Sequence, residues 1–137
     1  MDRALKTLRF VQWALLGSVV LYVALGAVIR PVVLALNPTI SYVFTTFAVA
    51  VIGAIFVVRR TLVFRAAASL ADQPGDLLSL RHWMTGFIVT YALCEMLGVI
   101  GFVQHLLGGT LPQSVPYFLG SFILLIFFWP RSPEPAA

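Results

Sequence analysis

The chain has 137 residues, 61% of them apolar and only 10% charged. Soluble domains carry about a quarter charged residues, so water is not this chain's main solvent. Its net charge of +4 does not point to nucleic acid, because the basic residues are dispersed at the ends of apolar runs.

The first apolar run, residues 10–29, predicts a helix of the ~20 residues needed to cross a ~30 Å hydrocarbon core. Arg3, Lys6 and Arg9 precede it, and Ala24-Leu25-Gly26 resembles a cleavage site. The run is long for a signal peptide, which favours a retained span. Pro31 biases Arg30 away from helical geometry and ends the helix. The following VVLALN is too apolar for a solvated loop and is expected to lie against the membrane surface or over the bundle.

Asn37-Pro38 has the grammar of an N-cap followed by proline at the first helical position. It opens a second helix over 38–58, with room to continue to about residue 71 because nothing in TLVFRAAASLA breaks it. Residues 59–82 then form the loop between spans, closed by Gln73-Pro74-Gly75. Asp76 is a candidate N-cap for a short lead-in to helix three, residues 83–106, with Trp83 as an interfacial anchor. A fourth helix is read over 112–129. Starting it at Val115 would leave it short of the bilayer, whereas starting at Pro112 leaves Pro116 in the first turns and predicts an entry kink or a local adaptation of the bilayer. None of these runs alternates as a membrane barrel strand would.

Arg3, Lys6, Arg9, Arg59, Arg60, Arg65, Arg81 and Arg131 fall on one side of this layout, and only Arg30 on the other. The positive-inside rule then predicts an all-α integral membrane protein of the inner (plasma) membrane: a four-transmembrane-helix bundle, multi-pass, with both termini and the 59–82 loop cytoplasmic. One fixed offset superposes Arg9 on Arg81, Leu25-Gly26 on Leu97-Gly98, Phe56 on Phe128 and Arg59 on Arg131. The chain is either two tandem helical hairpins or a chance match among similar apolar segments.

Chemistry concentrates on Glu95, which falls near the middle of the third span. A bare carboxylate is costly there, so the side chain is expected to be protonated or paired. Tyr22, Thr45, Thr46 and Tyr117 are the candidate hydrogen-bond partners at comparable depth. Two readings stand side by side: a proton- or ion-binding group, or a neutral acid that joins helices through a hydrogen bond. Gly86, Thr90, Cys94, Gly98 and Gly101 form a stripe of small residues on the same helix, a face that another helix of this chain or of a neighbour can approach closely.

His82 and His105 lie at opposite ends of helix three, too far apart to ligate one haem within the chain. Cys94 is the one cysteine, so there is no intrachain disulfide and no multi-cysteine metal site. No cofactor and no metal are expected, and no nucleophile has an assembled base.

Residues 81–108, RHWMTGFIVTYALCEMLGVIGFVQHLLG, resemble the glutamate-bearing helix of the proteolipid (c) subunit of rotary ATP synthases. The match rests on Ala92-Leu93-Cys94-Glu95-Met96-Leu97-Gly98, and the resemblance implies an ion-carrying role for Glu95. The same segment is similar to the first helix of small multidrug resistance transporters, where a single glutamate is essential. Helices one and two lack the alternating glycines of the c-subunit pattern, and here the acid lies on the third span. The expected function is a non-catalytic accessory or assembly subunit of a larger membrane complex, packing through small-residue helix faces. The alternative is a proton- or cation-binding transport protein using Glu95. The expected partners are the lipid bilayer and other membrane subunits or copies of the chain.

Overall fold

A computed structural model describes residues 2–30 and 35–131 of the chain. Among them are four helices: α1 over Asp2–Val28, α2 over Pro38–Asp72, α3 over Leu77–Leu106 and α4 over Leu111–Phe127. The first three are long and apolar enough to cross a membrane, and α4 is apolar but shorter. Half of the expected surface-lying segment, residues 32–34, lies outside the described residues.

Local chemistry sets the helix ends. The Asn37 side chain accepts a 2.9 Å hydrogen bond from the Thr39 amide, with Pro38 at the first helical position where a missing N–H costs nothing. The Asp76 carboxylate accepts from the amides of Leu78 and Ser79 and from the Ser79 hydroxyl. At the end of α3, Gly108 adopts φ 101°, a left-handed conformation that lets its own N–H reach His105 O and the Gly109 N–H reach Gln104 O. The chain then reverses directly into α4, where the Thr110 N–H donates to the Gln113 side chain.

Two helices run further than hydropathy alone suggests. The first begins at Asp2 rather than residue 10, because its polar opening turns still bury Ala4 and Leu8. Within residues 59–82, α2 takes the expected extension and continues to Asp72, and α3 starts with its lead-in at Leu77, leaving only residues 73–76 between them. The extension is held because Val63, Ala66 and Leu70 bury one side of it against the start of α3.

Midway through α2, residues Arg59–Phe64 are π-helical. This widened stretch passes so close to α3 that a Cβ built on Gly86 would lie 2.7 Å from Val63 Cγ2 and 3.2 Å from the Val63 backbone nitrogen. Only glycine fits that crossing.

The third helix is the hub. Its buried residues, from Trp83 through Tyr91 and Leu97 to His105, recur every three or four positions and form one broad stripe, on which the other helices pack. Helix α1 also touches α4, whereas α2 packs on α3. The pairing does not repeat as two tandem hairpins would: α3 and α4 form a packed hairpin, but α1 and α2 make no comparable contact among the described residues. Trp83 likewise is not a lipid-facing anchor; it is 1% exposed, with its ring 4.9 Å from that of Phe87.

Candidate functional site: the polar seam between α1, α3 and α4

Glu95 is half-buried on the flank of α3 that faces α1. Its Oε1 accepts hydrogen bonds from the Ser18 hydroxyl at 2.6 Å and the Tyr22 hydroxyl at 3.0 Å. Ser18 and Tyr22 are one helical turn apart, so both hydroxyls reach the same oxygen from one face of α1. The Tyr22 ring stacks on Phe102 at 5.8 Å, which fixes where its hydroxyl points. A carboxyl oxygen has two lone pairs, and here both are used.

Of the candidate partners named from the sequence, Tyr22 is joined to Glu95 and the others are placed elsewhere. Thr45 and Tyr117 share a 3.0 Å hydrogen bond with each other across the space between α2 and α4. The Thr46 hydroxyl turns back to the Tyr42 carbonyl of its own helix at 2.9 Å. Depth along the bilayer was the only signal for those three, and depth does not say which helix faces which. Ser18 was missed for the complementary reason: its one-turn spacing from Tyr22 was visible, but the pairing of α1 with that flank of α3 was not.

The seam continues towards both ends of the helices. The Gln12 amide, fully buried on α1, donates to the Leu125 carbonyl near the end of α4. Ser114 and Ser121 of α4 are fully buried, with hydroxyls that lack a partner among the described residues. His105 Nδ1 lies 3.0 Å from Gly109 O, while its Nε2 is buried without a partner among the described residues. His82, by contrast, is exposed.

The small-residue stripe serves the chain itself, and three different helices use it. Gly86 receives α2, Gly98 lies against Val19 and Tyr22 of α1 and Ser121 of α4, and Gly101 receives Tyr117 and Ser114 of α4. Thr90 bonds to Gly86 O at 2.7 Å, and Cys94 is fully buried. The stripe is therefore spent on packing within the chain, one of the two uses its spacing left open.

A separate groove of about 450 Å³ lies between α2 and α4, over α3. It is lined mainly by apolar side chains together with Ser41, Thr45, Gln104, Gln113 and Tyr117, and Glu95 does not line it. No cluster of three or more potential metal ligands occurs among the described residues. Comparison with protein-family models, with characterised proteins and with solved structures gave no match to the chain.

Proposed function

We propose that the chain is an integral membrane protein whose four helices all cross the bilayer, with both ends cytoplasmic, and that it serves as a non-catalytic accessory or assembly subunit of a larger membrane complex. The apolar lengths of α1, α2 and α3 support the first part. Helix α4 reaches only ~26 Å at helical rise, a mismatch that local thinning of the bilayer accommodates at modest cost. The concentration of basic residues at one end of the helices supports the orientation.

One observation carries the accessory reading: the acid on the hub helix is held by two hydroxyls of a neighbouring helix and does not line the groove beside it. That is the geometry of an interhelical link. An ion path needs a polar lining around its carrier, and Glu95 has donors on one side only. The outer faces of α1 and α2 support the same reading. Only 22% and 17% of their apolar windows are buried, against 50% in α3, so large apolar side chains such as Phe47, Phe56 and Val57 are free to meet lipid or a partner subunit.

Purification of the intact chain in mild detergent, with identification of the proteins that accompany it, tests this function. A defined membrane partner at constant stoichiometry is expected. Recovery as a lone monomer under conditions that preserve other membrane complexes would contradict it.

The convergence of two hydroxyls on one carboxyl oxygen also favours a second reading. The same arrangement can hold a proton or a small cation, as the resemblance of residues 81–108 to the c-subunit helix suggests. Flux measurements on vesicles separate the two readings.

A further inference from the structure

Where α2 turns π-helical, a cavity of about 510 Å³ opens between it, the start of α3 and the end of α4. Trp83, Phe87, Phe127 and Trp129 form much of its wall, and among the described residues its charged lining consists of Arg59 and Arg131, with no acidic side chain. The Arg59 guanidinium lies 4.1 Å from the centroid of the Phe128 ring and 5.4 Å from that of Phe87, so its faces are covered by aromatic rings. One of its in-plane donors is not served: Nη1 is buried and has no hydrogen-bond partner among the described residues. A buried cationic donor without an acceptor is costly, and a planar fork of N–H groups matches the oxygens of a phosphate.

The rest of the cavity narrows the class of anion. Its apolar walls would be wasted on a free inorganic ion. Phe64 and Phe127 also line it, yet are 60% and 76% exposed, so the cavity meets the outer apolar surface of the helices. Arg9 lies over the Trp129 ring at 5.8 Å, adding a third cation at the same level. Basic pockets between membrane helices are suited to acidic headgroups, and π-helical turns often occur at functional sites.

We infer that this cavity binds the phosphate headgroup of an anionic phospholipid, with Arg59 as the principal fork, Arg131 as the second cation and an acyl chain lying beside Phe127. The inference rests on the chain lying in a bilayer, but not on its serving as an accessory subunit.

The test is native mass spectrometry of the intact chain in detergent, titrated in parallel with phosphatidylglycerol, phosphatidylcholine of the same chain length, and inorganic phosphate. Phosphatidylglycerol is expected to form a discrete adduct at concentrations where phosphatidylcholine does not. Arg59→Gln and Arg131→Gln should each weaken that adduct about tenfold or more, the usual effect of losing a charge-assisted hydrogen bond. Arg60→Gln removes the same charge one residue outside the cavity lining and should leave it unchanged. Because Arg131 follows the last helix, its variant keeps the test decisive if Arg59→Gln fails to fold. Equal binding of both lipids would overturn the inference, as would equal weakening by Arg60→Gln. Saturation by inorganic phosphate alone, with no preference for phosphatidylglycerol, would overturn the lipid assignment.

Discussion

The hydroxyl of Ser18 donates a 2.6 Å hydrogen bond to Glu95 Oε1, joining the middle of α1 to the middle of the hub helix α3. Tyr22 bonds to the same oxygen, so the two donors and one acceptor act as a unit. Interhelical hydrogen bonds inside membranes average about 0.6 kcal/mol and reach about 1.7 kcal/mol. Ser18→Ala and Tyr22→Phe should therefore each destabilise the protein by about 0.5–1.5 kcal/mol in reversible unfolding from mixed micelles. Glu95→Gln keeps an acceptor and should be nearly silent, whereas Glu95→Leu strands both hydroxyls and should cost more than either single donor variant. In the Glu95→Leu background, Ser18→Ala should have almost no further effect. Full additivity would show that the link is not energetically real.

Packing around Gly86 supplies a second prediction. An alanine methyl there would meet Val63 Cγ2 at 2.7 Å and Leu62 Cβ at 3.0 Å, and the Val63 backbone nitrogen behind them leaves little room to yield. Gly86→Ala should cost about 1–3 kcal/mol, as overpacking of tight contacts does. Gly53 sits in the same long α2 helix with nothing within 4 Å of its notional Cβ. Gly53→Ala should be neutral, or stabilising by up to about 1 kcal/mol through helix propensity. Thermal unfolding of the pair, measured side by side, checks the contrast.

These two sites show what the sequence made legible. The apolar runs placed the four helices, and the N-cap grammar of Asn37-Pro38 and of Asp76 placed the starts of α2 and α3, because those signals are local. The acid and the small residues of α3 were equally visible. Their partners were not, because Ser18 and Val63 enter only through the angular arrangement of helices around α3, which apolar patterning in lipid does not encode. The π-helical turn at Arg59 was hidden for the same reason: the crossing at Gly86 is tertiary, and RRTLVF carries no breaker.

A third prediction concerns the start of α3. The Ser79 hydroxyl, and then the Leu78 amide, hold the Asp76 carboxyl below the usual carboxylate range. A depressed acid contributes stability that is fully present above its unfolded value of about 3.9 and is lost as pH falls through the lower folded value. Hydrogen exchange at the Leu78 and Ser79 amides, corrected for intrinsic rate, should show protection that is constant from pH 7 to about 4.5 and declines only below about 4. Asp76→Ala should remove the protection at every pH. A decline centred near neutral pH would assign it to another group.

Gln12 gives a fourth. It is fully buried, and its amide donates to Leu125 O while its own Oε1 has no partner among the described residues. Gln12→Leu removes both the hydrogen bond and the unpartnered oxygen, so the change should stay within about 1 kcal/mol of the wild type. Gln12→Ala also leaves a cavity and should cost about 2 kcal/mol or more. Chemical denaturation of both variants checks the order.

Proton flux tests the central claim, that Glu95 links helices rather than carries ions, most directly. Vesicles containing the purified chain, loaded with a pH-sensitive dye and subjected to a pH step under an imposed potential, should dissipate it no faster than protein-free vesicles. Glu95→Gln should give the same trace. A flux well above the protein-free rate that disappears in Glu95→Gln while the protein remains folded would contradict the account and make the carboxyl a carrier.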